Sequence, residues 1–175
     1  MQSNYDELMD ADEREVLALL IEDSRKSPND IAKKLGFSRQ KVWRIIKRLE
    51  KNKIVWGYTT VIDDGSVGTG TYYALIKSKG LLYAVVDKLV KRVKEKHSEE
   101  MGIKLLGVSY INGAYDWLVI FSAKDIKDAK KFTGYILKEY GDNTVQIELL
   151  ESVFTLLRFG KINPDADKLK EITSF

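Results

Sequence analysis

Between positions 38 and 53 the chain reads SRQKVWRIIKRLEKNK, in which Arg39, Lys41, Arg44, Lys47, Arg48, Lys51 and Lys53 stand against the single acid Glu50. Guanidinium and ammonium groups at this density suit the neutralisation of a polyanion. Spacing decides whether they share a face. A helix advances about 100° per residue, which places Val42, Ile46 and Leu49 on one line with Ile45 beside it. Gln40, Arg44, Lys47 and Lys51 gather on the opposite side, with Lys41 and Arg48 on one flank and Trp43 on the other. Trp43 is expected to pack on the edge of the core, with contact to a thymine methyl as the alternative. A solvated charged face would give the same pattern, so the neighbouring elements must decide.

Little else in the chain suggests chemistry. Cysteine is absent, and the single histidine, His97, lies in the charged stretch KEKHSEE, where a solvent-exposed ring is expected. The glycines of GSVGTG fall between strand patterns with no helix behind them, so they read as a linker and not as a phosphate loop. The acid pairs Asp63–Asp64 and Glu99–Glu100 read as solvated loop residues. No catalytic residue, metal ligand or cofactor is expected, and the chain is not expected to be an enzyme. No run of about 18 apolar residues occurs, and the polar, acidic start MQSNYDELMD is unlike a signal peptide. A cytoplasmic protein with no membrane partner is the expectation.

Charge is distributed unevenly. Residues 24–56 hold eleven Lys and Arg and two acids, a net +9, whereas the first 23 hold one Arg and eight acids, a net −7. A basic module followed by a balanced remainder is expected where one part meets a polyanion and another does something else. Around the basic stretch, Glu13–Asp23 carries Val16, Leu17, Leu20 and Ile21 at helical spacing. SPND then starts a second helix over Pro28–Leu35, with Ser27 as cap, Pro28 at the first position and Asp30 completing a capping box. Gly36 suits the left-handed conformation that ends a helix, and Ser38 caps the third. Two helices joined by a short glycine-containing turn form a helix-turn-helix, whose second helix enters the major groove of double-stranded DNA. Gln40 is placed to read adenine, and Arg39 or Arg44 guanine, while Lys47, Arg48 and Lys51 suit phosphates. The candidate DNA contacts are Ser27, Ser38, Arg39, Gln40, Lys41, Trp43, Arg44, Lys47, Arg48 and Lys51.

After the third helix, IVWGYTTVID alternates like a strand and suits a wing hairpin or a dimerising strand. A helix-turn-helix domain over residues 1–62 is expected, then a linker over 63–70, DDGSVGTG. The rhythm then changes: a strand at 71–79, a helix at 81–96 striped by Leu82, Val85, Val86, Leu89 and Val93, and strands at 104–111 and 116–123 joined by NGAY. A helix started by Asp125 and Asp128 and stopped by Gly141 follows, then a long strand from Thr144 to about Arg158. This β-α-β-β-α-β order is the ferredoxin-like plan, expected over 71–160. Its helices cover one sheet face, and the other face needs a partner, for which a second copy of the sheet is the expectation. The extension over 161–175 has a helix start at Asn163 and Pro164. The same plan occurs in the RRM, but VSYINGAYDWLVIF lacks that module's basic, glycine-spaced aromatics, so RNA binding is the weaker reading.

Taken in order, MDADEREVL, RKS, DIAKKLGFS, the run ending IKRLE, IVWGYTTVID and the turn NGAYD resemble the Lrp/AsnC, or feast/famine, family of transcription regulators over about residues 9–158. The resemblance implies an α+β chain, a winged helix-turn-helix followed by a ferredoxin-like (RAM-type) domain. It implies dimers that assemble into tetramers or octamers. It also implies a small effector, often an amino acid, bound between dimers near the glycine-aromatic-aspartate turn, here Gly113, Ala114, Tyr115 and Asp116. Ile45 stands where the family usually has an arginine, the usual proline before the second strand is lacking, and the chain extends past the usual end. A DNA-binding protein that organises chromosomes without an effector is the alternative function.

Overall fold

The computed structural model describes residues 9–172. Asp6 and Glu7 of the acidic block, and residues 173–175 of the C-terminal extension, lie outside the described residues. The chain divides into two compact units between Val61 and Ile62.

The first unit is built of α1 (Ala11–Glu22), α2 (Pro28–Leu35) and α3 (Arg39–Lys51). α1 begins two residues before the expected Glu13 because Asp10 caps it: its carboxylate accepts from the Glu13 N–H at 2.8 Å while Glu13 accepts from the Asp10 N–H at 3.0 Å. α2 has the expected bounds, the Ser27–Asp30 capping box and Gly36 in the left-handed region at φ 69°. Val16, Leu19, Leu20, Ile31, Ala32, Val42, Ile45 and Leu49 form one core. Each larger aliphatic side chain removed from water there contributes about 1.5–3 kcal/mol. Ile45, not Ile46, completes the innermost line of α3 with Val42 and Leu49; Ile46 is only partly buried.

Residues 55–63 are assigned to no strand. The expected wing or dimerising strand therefore has no partner within the unit, which offers only helices, and Trp56 stands 94% exposed. A strand is stable only when another strand satisfies its backbone groups.

The second unit contains β1 (Gly70–Ser78), α4 (Tyr83–Lys94), β2 (Lys104–Tyr110), β3 (Trp117–Ala123), α5 (Ile126–Tyr140) and β4 (Thr144–Glu151). The sheet order is β2-β3-β1-β4 and every neighbouring pair is antiparallel, the ferredoxin-like arrangement. Register puts Tyr72 opposite Phe121 and Ala74 opposite Val119, so these residues share a face, and with Ile76 they bury against Ala129, Phe132 and Ile136 of α5. Tyr73, Leu75, Leu118 and Ile120 alternate onto the opposite face, where they are only half-buried.

Three expectations are corrected here. No residue of α4 is fully buried, although its apolar stripe is spaced for a sheet. The long last strand ends at Glu151, and β5 (Leu157–Arg158) pairs separately with β6 (Lys161–Ile162). Phe159 at φ 49° and Gly160 at φ 74° form that tight turn, both left-handed as a two-residue hairpin of this kind requires. Residues 63–70 are not a free connector: Gly65–Val67 is a 3-10 turn, and the Asp64 carboxylate accepts from Thr71 Oγ1 at 2.5 Å and from Arg158 at 2.7 Å. A 3-10 turn at Ala166–Lys168 and the short helix α6 (Leu169–Ile172) follow in the C-terminal extension.

Candidate nucleic-acid interface and effector turn

The interface is built on α3, whose buried stripe fixes which side chains face outward. Arg39, Gln40, Trp43, Arg44, Lys47, Arg48 and Lys51 are exposed, and Lys41 is half-exposed. Trp43 is 54% exposed, so about half of its surface is covered and the rest is open to a partner. The two serines are engaged as caps. Ser27 Oγ donates to Asp30 at 2.6 Å, and Ser38 Oγ accepts from the Lys41 N–H at 3.2 Å.

The cations divide by flank. Lys41 ion-pairs with Asp12 at 2.6 Å, and Arg48 pairs with Asp10 at 2.6 Å and with the buried Glu13. The Glu13 N–H, and then Arg48, hold the Asp10 carboxyl below the ordinary aspartate range. Lys47 sits 2.9 Å from Glu50 in an exposed pair, a geometry worth little. Arg39, Arg44 and Lys51 form no such pair among the described residues, and with Gln40 they present free donors along one helix side. Five donors in a planar fork, at Arg44, suit bidentate recognition of a guanine edge or a phosphate. Ile45 is 5% exposed, so the position where an arginine was expected by resemblance is turned into the core and makes no outward contact.

The turn at Gly113–Asp116 presents a different arrangement. Asp116 accepts from the Ser78 N–H at 2.7 Å, from Ser78 Oγ at 3.1 Å and from Lys77 Nζ at 3.1 Å. The Ser78 N–H and then Lys77 hold its carboxyl below the ordinary range. Backbone bonds from Asp116 N to Ile76 O at 2.9 Å and from Ile111 N to Asp116 O at 2.7 Å tie the turn to β1 and close the hairpin. The Tyr115 hydroxyl donates to Glu148 of β4, while Gly113 and Ala114 remain exposed. The four expected effector residues are therefore together, but the Asp116 carboxylate already serves β1.

Sequence reasoning missed Asp10, Asp12 and Glu13 as partners of α3, Ser78 and Lys77 as partners of Asp116, and the Asp64–Arg158 pair, whose acid was expected to be solvated. These partners lie 29 to 94 residues apart along the chain, beyond any local signal. His97 is half-buried, its ring 5.8 Å from that of Tyr135, and is not the exposed histidine expected. No helix among the described residues is long and apolar enough to cross a membrane.

A helix-turn-helix with free guanidinium and amide groups along its second helix, joined to a ferredoxin-like domain, defines a DNA-binding protein. A family model described as winged helix-turn-helix DNA-binding matches residues 9–55. An uncharacterised HTH-type transcriptional regulator of Pyrococcus furiosus is 31% identical over 149 residues, covering 82% of this chain and 95% of that protein. On this similarity and the fold, the chain belongs to the Lrp/AsnC family of helix-turn-helix transcriptional regulators. It is grouped with regulators and not with enzymes. The fold is also that of an AsnC family transcriptional regulator from Agrobacterium tumefaciens, with a TM-score of 0.67 at 20% identity over 90% of this chain and 98% of that one. A transcriptional regulator from Neisseria meningitidis, solved as a complex with L-Met, superposes with a TM-score of 0.63 at 17% identity over 86% of this chain and 93% of that one.

Proposed function

We propose that this regulator reads a specific DNA sequence through Arg39, Gln40, Trp43 and Arg44, uses Lys47 and Lys51 on phosphates, and acts as a dimer or larger assembly. The observation that carries the reading is the set of outward donors Arg39, Gln40, Arg44 and Lys51 on α3, none paired with an acid among the described residues, on a helix whose opposite face is locked into the core. Ser27 caps α2, while Ser38, Lys41 and Arg48 hold α3 in place, and contact with phosphate from these four is secondary. The triple variant Arg39→Ala, Gln40→Ala, Arg44→Ala removes only exposed groups. It should lose about a hundredfold or more of specific affinity in anisotropy titrations, on the order of 1–3 kcal/mol per base contact, with an unchanged melting temperature. Retained sequence preference would defeat the reading.

The half-buried apolar face of Tyr73, Leu75, Leu118 and Ile120 supports dimerisation through the sheet. Two copies of α3 set about 34–36 Å apart would then read a palindromic operator. Light scattering that gives a monomer at micromolar concentration would remove this part.

An amino-acid effector beside Gly113–Asp116 is supported by the exposed turn backbone and by the L-Met complex of the Neisseria meningitidis relative. The three hydrogen bonds already held by Asp116 favour a second reading, in which the turn is structural and DNA binding runs without an effector. Calorimetry with the twenty amino acids separates the two. Heat that is lost in Asp116→Ala, with DNA affinity altered by the same ligand, supports the effector. Silence from all twenty supports the second reading.

A further inference from the structure

An asparagine side chain is lost when the amide nitrogen of the following residue attacks its Cγ, so that nitrogen must carry an N–H that is free of other bonds and able to swing toward the side chain. Four of the five asparagines among the described residues fail this condition. The Asp30 N–H after Asn29 donates to Ser27 Oγ at 3.2 Å, the Lys53 N–H after Asn52 to Glu50 O at 3.0 Å, and the Thr144 N–H after Asn143 to Gly141 O at 3.2 Å. Asn163 precedes Pro164, whose ring nitrogen carries no N–H.

Asn112 differs in each respect. It is followed by Gly113, both residues are exposed, and among the described residues neither the Asn112 side chain nor the Gly113 N–H has a hydrogen-bond partner. A Cβ added to Gly113 would meet nothing within 4 Å, so no neighbour crowds the attacking nitrogen, and the φ of Gly113 lies outside the left-handed region. Glycine also gives that nitrogen the widest backbone freedom of any residue. The pair sits just beyond the bond from Ile111 N to Asp116 O, at 2.7 Å, that closes the hairpin of β2 and β3.

We propose that Asn112 is a site of spontaneous modification in the folded chain, with water as the only co-reactant. The Gly113 nitrogen bonds to Asn112 Cγ and gives up its proton, and the side-chain nitrogen leaves as ammonia, closing a succinimide ring. Water then opens the ring at either carbonyl, and nothing is oxidised or reduced. Opening at Cγ leaves an aspartate. Opening at the former main-chain carbonyl leaves an isoaspartate, whose backbone runs through Cγ and is one methylene longer. Either product places a new carboxylate in the turn that holds Asp116, and the isoaspartate also lengthens the segment that the Ile111–Asp116 bond spans. The modification goes beyond the effector reading and does not depend on it.

The full chain is aged in mildly alkaline buffer, folded and in parallel unfolded in urea, and followed by peptide mass mapping and by labelling with an isoaspartate-specific methyltransferase. In the folded chain Asn112 should convert at a rate close to that in urea, while Asn29, Asn52 and Asn143 stay amides. Gly113→Ala should slow the conversion several-fold without moving the melting temperature, since the added methyl has room in the turn but hinders ring closure. In NMR spectra of the aged chain the Ile111 and Asp116 amide signals should be displaced, with those of Val16 and Ile31 of the first unit unmoved. A folded rate many-fold below the rate in urea, or a Gly113→Ala chain that converts as fast as the parent, overturns the site. Conversion that leaves the Ile111 and Asp116 signals in place overturns its effect on the hairpin.

Discussion

The outer side of α3 and the turn at Gly113–Asp116 both present polar groups that sequence reading assigns to a partner, yet they differ in what those groups already hold. Among the described residues Arg39, Gln40 and Arg44 have no acid paired with them, so their donors are available to an arriving base edge or phosphate. Asp116 accepts three hydrogen bonds from β1, so a ligand must compete with Ser78 and Lys77 for it. The same contrast runs within α3, where Arg44 has no ion pair among the described residues and Arg48 holds Asp10 and Glu13. A charged residue on a binding element is therefore judged by its existing partners as much as by its exposure.

The contrast within α3 gives the largest expected effect. Arg44→Ala should weaken specific DNA binding by about 1–3 kcal/mol, relax preference at one base pair and leave the melting temperature unchanged. Arg48→Ala should do the reverse, lowering the melting temperature because the buried Glu13 loses its cation, with a smaller loss of DNA affinity. A protein-stable Arg48→Ala with a large DNA defect would break the division into free and committed cations.

Asp64 extends the committed class to the second unit. Burial alone would raise its carboxyl, but Arg158 and Thr71 outweigh burial and hold it below the ordinary aspartate range. A depressed folded pKa means that the stabilisation is present above the unfolded value and is lost as pH falls through the folded one. Asp64→Asn should therefore cost about 2 kcal/mol at neutral pH, less than breaking a fully buried pair. In urea unfolding, that deficit should shrink as pH falls below about 4. A deficit that does not change with pH would show that the carboxylate charge is not what anchors residues 63–70.

The smallest effect belongs to Lys51. Lys51→Ala should weaken all DNA sequences alike and reduce the slope of log affinity against log salt by about one, readable from titrations at several salt concentrations. A loss confined to one operator would move Lys51 into the base-reading set.

Much of this organisation was legible because the signals are local. Ser27, Pro28, Asp30 and Gly36 mark both ends of α2, and the line of Val42, Ile46 and Leu49 with Ile45 beside it indicates which side of α3 faces out, although Ile45 and not Ile46 is the fully buried residue. Alternation in β1 and β3 separates Tyr72 and Ala74 from Tyr73 and Leu75. The ions that hold α3, the turn and residues 63–70 were not legible, because Arg48–Asp10, Asp116–Ser78 and Asp64–Arg158 are each set by tertiary geometry. The break after Glu151 was missed for a similar reason. Ser152 N bonds to Thr71 O at 2.9 Å and the next hairpin turns on Phe159–Gly160, not on an Asn-Gly pair. α4 misled because an apolar stripe states that a helix has a greasy side, not that the sheet will come close enough to cover it.

α4 has a further consequence for how the second unit breathes. A helix with no fully buried residue has little to lose by transient opening, and its hold on α5 comes largely from Lys88 and Arg92 around one carboxylate, Glu139. Such attractions are screened by dissolved ions, whereas the burial of Tyr72 and Phe121 is not. Ionic strength thereby acts selectively on one side of the domain, loosening α4 and leaving β1 and β3 closed, so that amide hydrogens along Tyr83–Lys94 exchange with solvent through partial unfolding long before the central strands do.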